Sequence, residues 1–298
     1  MIKKFVYSQK VAPYVFVLPF ILIFLIFWLY PLVNSFVMSF QDRMLGQDPK
    51  WIGEANYSKL LTDKVFLISI KNSVVYMLGT LVLLIPFPML FAVMINSKLM
   101  VGREFFKSSF FLPALTSVAV AGTIFRLTFG EMEGSLMNSF LGLFGVEPIK
   151  FLKDGAWSMT ALLILACWRW TGVNILYYLS GLKSIDNEYY EAASIDGASA
   201  WQKFRMITMP LLKPTTVYVT TISVYAGLAM FTESLMMFNG NKSPQNIGLT
   251  IVGYLYRQGI EQNKLGYAAA VGIVLLVIAM VINLTQLKFS GMFKREED

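Results

Sequence analysis

Long apolar runs separated by short polar stretches set the plan of this chain. The runs at about 11–40, 72–95, 106–128, 157–181, 214–238 and 266–289 are dominated by Val, Ile, Leu, Phe, Met and Ala. Each meets or exceeds the ~20 residues that a helix needs to cross a bilayer. The pattern predicts an all-α polytopic membrane protein with six transmembrane helices, organised as one domain over 1–298. Pro19 and Pro31 interrupt the first run and Pro86 and Pro88 the second. Such kinks are tolerated where packing or a cavity satisfies the freed backbone. The first run follows Lys3, Lys4 and Lys10 and contains no charged side chain. It exceeds the ~7–15 apolar residues of a signal peptide, and no small-residue cleavage site follows, so it is expected to be retained.

The longest polar-amphipathic segment lies between the fourth and fifth runs, at about 183–213. Asp186 is placed to cap a short helix carrying Glu188, Tyr189, Glu191 and Ala192. Gly197 suits the left-handed position that ends such a helix. Ser199, with Gln202 three residues on, forms a capping box for a second helix that approaches Pro210. The prediction is a helix-turn-helix knob at a membrane face, a shape suited to docking. Six spans put both termini on one side. The tails and the loops at about 96–105 and 182–213, with the flanking Lys107 and Lys288, hold 13 of the 25 Lys and Arg. The other three loops, longer in total, hold 10. The positive-inside bias therefore makes the termini and the knob cytoplasmic.

Composition agrees with the pattern and removes other classes. The apolar fraction is 56%, the charged fraction 14% and the mean hydropathy +0.59, outside the range of ordinary soluble domains. The net charge of +7 is scattered between runs, which argues against a nucleic-acid surface. There is no histidine and a single cysteine, Cys167, within a run. Intrachain disulfides and the usual His/Cys metal sites are excluded. No Gly-x-x-x-x-Gly-Lys-Ser/Thr phosphate loop occurs, so the chain is not expected to bind ATP.

Glu191-Ala192-Ala193, three residues, Gly197, nine residues, then Ile207-x-Met209-Pro210 resembles the coupling loop of bacterial ABC importer permeases; Met209 stands where that pattern has Leu. Trp51-Ile52-Gly53-Glu54-Ala55-Asn56-Tyr57 resembles the Gly-x-x-Asn-Tyr segment after the first span of the sugar permeases. Leu112-Pro113-Ala114, Ser117-Val118-Ala119, Gly181-Leu182, Asp196-Gly197-Ala198 and Gly266-Tyr267-x-x-Ala270 fit the same family. Asn239-Gly240-Asn241-Lys242-Ser243-Pro244 departs from its glycine-rich outer loop. Arg126 with Phe129-Gly130-Glu131-Met132, Trp168-Arg169-Trp170 and Met230-Phe231-x-Glu233-Ser234 resemble permeases of arabino-oligosaccharide importers.

The resemblance implies a permease subunit of a carbohydrate importer in the bacterial inner membrane. It implies a second permease subunit, a cytoplasmic pair of ATPase subunits that bind ATP and Mg, and an extracytoplasmic sugar-binding protein. Glu191, Ala192, Ala193, Asp196, Gly197, Ile207 and Pro210 would then face the ATPase. It also directs attention to the spans flanking the loop as the sugar path. On the fourth, Ala166, Arg169, Trp170 and Val173 share one helical face; on the fifth, Ser223, Ala226, Gly227 and Met230 do. Trp170 is suited to stacking on a sugar ring and Ser223 to bonding a hydroxyl. Gly227 and Ala226 either leave room for the ring or permit close helix packing. Of the ionisable residues within runs, Arg126 and Glu233 fall at similar depth and are expected to pair, while Arg169 lies deepest and is a candidate for the path. The alternative is an ion-gradient-driven secondary transporter or channel, which would ordinarily carry more intramembrane carboxylates than Glu233 alone; a membrane-embedded enzyme fits less well.

Overall fold

The computed structural model describes residues 9–97, 99–131, 134–238, 240–241 and 243–291. Met132, Asn239 and Lys242 of the motifs above lie outside the described residues. The described chain is mostly helical, with one two-stranded antiparallel ribbon, β1 (Gln41–Asp42) and β2 (Lys50–Trp51). It divides into two units, residues up to Asp63 with Leu255–Val274, and Lys64–Tyr254 with the segment from Leu275 onward.

In the first unit, α1 (Ala12–Phe24) and α2 (Tyr30–Met38) are joined without a gap by a π turn at Leu25–Leu29. Tyr30 N–H reaches back to Leu25 O, because Pro31 removes the N–H that would continue the ordinary ladder. The chain leaving α2 is tied down by the Asn-Tyr motif on α3 (Ala55–Thr62). Asn56 Nδ2 donates to Ser39 O (2.8 Å) and Gln41 O (3.0 Å), and Tyr57 OH pairs with Ser39 Oγ at 2.6 Å. Phe40 stacks on Trp51 with 5.7 Å between centroids. The Gly-Tyr motif has a similar use. Gly266 lies against the Gln41 carbonyl, with no room for a β-carbon, and Tyr267 OH donates to Asp63 Oδ2 at 2.9 Å.

The second unit is arranged around one long helix. Its elements are α4 (Lys64–Leu84), α5 (Pro86–Asn96), α6 (Arg103–Leu115), α7 (Val118–Thr128), α8 (Leu136–Gly142), α9 (Gly155–Lys183), α10 (Asn187–Ile195), α11 (Ala200–Lys203), α12 (Met209–Leu211), α13 (Lys213–Leu228), α14 (Thr232–Met237) and α15 (Ile251–Tyr256). α15 runs on into the first unit from Leu255, and α16 (Leu265–Ser290) begins in the first unit and ends in the second. α9 packs against α4, α5, α6, α7, α13 and α14, burying Leu162, Leu165, Ile175 and Tyr178 almost completely. Its closest approach is to α6, where a β-carbon on Gly172 would overlap the Phe110 carbonyl. Small residues at such crossings let helix backbones meet.

Each expected run is helical, yet not every one is a single helix. Among the described residues, four helical stretches are long and apolar enough to cross a membrane: Ala12–Met38, Lys64–Asn96, Gly155–Lys183 and Leu265–Ser290. The 106–128 run is instead α6 and α7, bent by 96° at Thr116–Ser117, and would make a fifth if the pair counts as one span. The 214–238 run is α13, of 16 residues, a break at Ala229–Phe231, and α14. Tertiary bonding pulls this break open, since Thr250 Oγ1 donates to Met230 O. The 72–95 run begins earlier, at Lys64, and is interrupted at Ile85.

The contact at Gly172 generates a test. Gly172→Ala should lower the stability of the purified protein by ~1–3 kcal/mol, the cost of overpacking, because backbone rather than a yielding side chain stands in the way. Gly142→Ala, whose β-carbon would meet open space, should be close to neutral. Thermal melts of both variants in detergent decide it, and equal melting points would contradict the packing argument.

Candidate functional site

Where α4, α9, α13 and α14 converge they enclose a cavity of about 230 Å³. α4 contributes Tyr76 and Thr80, α9 contributes Ala166, Trp170, Val173, Asn174 and Tyr177, and α13 contributes Ser223, Ala226 and Gly227. Met230, from the break, and Glu233, at the start of α14, complete the wall. Trp170, Val173, Ser223, Gly227 and Met230, chosen from helical spacing, thus come together on one hollow, joined by Glu233, which was singled out as an ionisable residue within a run. Gly227 also answers the question of room or packing: a β-carbon there would stand 2.8 Å from Met77 Cα on α4. Its smallness is used for the helix contact.

Arg169 is not in the cavity wall. It is buried behind it, donating from Nη1 to Glu233 Oε1 at 3.1 Å and from Nη2 to Thr116 O at 3.5 Å. Its guanidinium carbon lies 5.2 Å from the Trp170 ring centroid. The expected pairing of Glu233 with Arg126 is therefore corrected to one with Arg169. The break at Ala229–Phe231 restarts the helix, so depth counted along an unbroken span misplaces Glu233. Arg126 instead lines a separate, wider hollow of about 880 Å³ beside Glu131 and Lys153, which pair with each other.

Four polar members of the wall were not read from the sequence: Tyr76, Thr80, Asn174 and Tyr177. Asn174 carried a usable signal, since it falls four residues after Trp170 on the same face of an apolar helix. Its amide donates to Leu84 O at 2.8 Å. That carbonyl is free because Pro88, four residues on, has no N–H. A bare carbonyl in an apolar setting is costly, and Asn174 removes the cost at the edge of the cavity.

The segment between α9 and α13 forms the expected helix-turn-helix. Asp186 Oδ1 accepts from Glu188 N–H at 3.0 Å and starts α10. Gly197, at φ +73°, ends it, with Ala198 N–H donating to Ala193 O (2.8 Å) and Gly197 N–H to Ser194 O (3.2 Å), the bond pair of a Schellman motif. Ser199 and Gln202 form the reciprocal capping box of α11. Lys203 Nζ to Ser194 Oγ (2.7 Å) and Tyr190 OH with Thr208 Oγ1 (2.9 Å) staple the two arms. A second π turn, Phe204–Thr208, immediately precedes Met209-Pro210. Glu191, Ala192, Asp196, Gly197 and Pro210 are exposed, while Ala193 and Ile207 are half-buried between the arms and the bundle. α10 buries no residue at all, and Ile195 (87% exposed) and Met206 (73%) stand bare on this polar knob.

Comparison with known proteins follows this geometry. The chain is 51% identical to the arabinooligosaccharides transport system permease protein AraP of Bacillus subtilis (strain 168), across 97% of this chain and 92% of that one. It is 32% identical to the lactose transport system permease protein LacF of Rhizobium radiobacter, across 92% of each. A crystal structure of a bacterial ABC transporter involved in import of the acidic polysaccharide alginate superposes with a TM-score of 0.83 at 27% identity, covering 95% of this chain and 96% of that one. The model of the binding-protein-dependent transport system inner membrane component family matches residues 11–290, and the chain belongs to that family.

Proposed function

We propose that this chain is the membrane-spanning permease subunit of an ATP-driven importer for sugar oligosaccharides, with arabino-oligosaccharides as the cargo class. The observation that carries the reading is the chemistry of the α4–α9–α13–α14 cavity. Its wall offers an aromatic face, hydroxyls and an amide, and its one carboxylate, Glu233, already has a guanidinium partner. Such a lining suits a neutral polyol. An ion-coupled transporter needs a carboxylate free to exchange a cation or proton, so the paired Glu233 speaks against that alternative. The names of the similar permeases supply the cargo class, and their family supplies the importer.

In this reading the bundle crosses the inner membrane six times, the α6–α7 and α13–α14 pairs each acting as one crossing, with both termini cytoplasmic. A second permease completes the path, and an extracytoplasmic binding protein delivers the sugar from the outer face. One solved relative is in complex with an alginate pentasaccharide-bound periplasmic protein, which supports that partner. ATP and Mg are held by a cytoplasmic ATPase dimer that docks on the Glu191–Pro210 knob. Closure of the dimer moves the knob, and the knob is continuous with both α9 and α13, two walls of the cavity.

The test of the cavity is uptake by the complete importer reconstituted in vesicles. Trp170→Ala and Ser223→Ala should each lower oligosaccharide uptake about tenfold, equivalent to ~1.4 kcal/mol, with the amount of assembled complex unchanged. Wild-type uptake in both variants would remove the cavity from the path.

The ion pair gives a second expectation. Arg169→Met alone leaves Glu233 without its partner and should cost ~3–5 kcal/mol, seen as loss of assembled complex on size-exclusion chromatography. Arg169→Met combined with Glu233→Gln should restore assembly. Failure of the double variant to recover would mean that the guanidinium is needed for more than its carboxylate.

The third concerns the knob. A β-carbon at Gly197 meets no neighbour but forces a left-handed strain of ~1–2 kcal/mol. Gly197→Val should weaken co-purification of the ATPase or uncouple sugar-stimulated hydrolysis from uptake, while docking of the loaded binding protein persists. Gly197→Asn, which tolerates that conformation, should retain most coupling. Normal coupling in the valine variant would mean that the knob is not the lever.

A further inference from the structure

A second groove, of about 620 Å³, lies beside the knob and is separate from the sugar cavity. Its apolar wall is built by Ile85, Met89 and Leu90 at the α4–α5 break and by Val217 on α13. The exposed Trp201 and Lys213 also line it, with Thr216 and Ser290 half-buried beside them. Lys213 is the one ionisable residue among the described residues lining it. Neither an ion pair nor a hydrogen bond engages the Lys213 ammonium among the described residues. Lys213 opens α13 directly after the knob, and Leu90 is 42% exposed and Trp201 63%.

We propose that this groove binds one anionic phospholipid of the cytoplasmic leaflet, its acyl chain along Leu90, Met89 and Val217 and its phosphate on Lys213. The placement rests on the orientation proposed above, which puts the start of α13 at the level of the inner headgroups. The occupant follows from the combination of features. An apolar trough of this size beside a bilayer takes hydrocarbon, and a lone ammonium on its wall takes a negative headgroup. A tryptophan at that level matches the interfacial preference of indole. A free phosphate satisfies the lysine but leaves the trough empty, and a sugar satisfies neither. A lipid seated here touches the α4–α5 break, the knob through Trp201 and Met209, and α13, so it stiffens the joint through which the knob meets the bundle.

The experiment uses the importer purified with its second permease and ATPase from membranes containing phosphatidylglycerol and phosphatidylethanolamine. Native mass spectrometry counts the lipids retained. Lys213→Gln should retain about fivefold less phosphatidylglycerol, the effect of one basic residue at an anionic surface, with phosphatidylethanolamine unchanged. Lys213→Arg should behave as wild type. Leu90→Trp, which fills the trough at an exposed position and keeps the charge, should also lose the bound lipid. Retention in Lys213→Gln equal to wild type overturns the proposal. So does loss of the second permease from the Lys213→Gln or Leu90→Trp complex, which would make the groove a subunit interface. A fall in sugar uptake by Lys213→Gln that is the same in vesicles with and without phosphatidylglycerol also overturns it, because the lysine would then serve the sugar path. A wild-type complex that retains the lipid but imports no sugar would count against the proposed cargo and leave the lipid site standing.

Discussion

The ion pair between Arg169 and Glu233 is the interaction on which the cavity depends. A guanidinium buried in a membrane-embedded bundle is expensive unless a carboxylate and further acceptors surround it. Here the carboxylate comes from α14 and the further acceptor, Thr116 O, from the bend between α6 and α7. That bend frees the carbonyl by turning the chain through 96°. One side chain on α9 therefore ties together two irregular places in neighbouring elements, and each supplies the guanidinium with one acceptor. With Glu233 held in this way, the cavity wall presents a fixed acceptor whose charge is already matched, on a surface otherwise made of hydroxyls, an amide and aromatic faces.

The same trade recurs at Pro88, Pro31 and Pro210. Pro88 frees Leu84 O, and Asn174 takes it. At Pro31 and Pro210 the adjustment is internal: a π turn just before the proline lets Tyr30 bond Leu25 O and Met209 bond Phe204 O. The break after α13 has no proline, and its Met230 carbonyl is met by Thr250. Buried Asn, Ser and Thr in apolar helices are thus largely backbone partners. Asn72, donating to Asn246 O and Leu249 O, and Ser73, accepting from Ile251 N–H, hold the segment before α15 against α4 by the same means.

Which features were legible follows from how local their causes are. The knob was readable residue by residue, because Asp186, Gly197, Ser199 and Gln202 act through bonds spanning a few residues, and each does so in the structure. The shared cavity face was readable from helical spacing on α9 and α13, which runs true as long as a helix stays unbroken. The partner of Glu233 was not, because it depends on where α14 restarts, and that is set by Thr250, 20 residues further on. The bends in the third and fifth runs were not legible for a related reason: hydropathy reports that a segment belongs in an apolar setting, whereas a bend is decided by what waits to bond the freed carbonyl. Asn174 fell between these cases. Its place on the face was visible, and its use depended on the Leu84 carbonyl that Pro88 leaves free, 90 residues away in the chain but a hydrogen bond away in space.

The chain's connectivity gives the cavity and the knob a mechanical relation that needs no relay of small contacts. α9 ends at Lys183 and α10 begins at Asn187; α12 ends at Leu211 and α13 begins at Lys213. The knob is thus bracketed by two cavity walls with almost no slack. Within it, the Schellman turn, the capping box and the Lys203–Ser194 and Tyr190–Thr208 bonds fix the two arms against each other. A flexible loop would absorb a push from a docked partner in its own dihedrals. A stapled one passes the push to its two ends, and those ends are the bases of α9 and α13. Because Trp170 and Asn174 stand on one wall and Ser223 and Gly227 on the other, any displacement that differs between the two bases must change the width of the cavity. In the reading proposed above, the exposed Ile195 and Met206 are the apolar surface on which a docked ATPase would apply such a push.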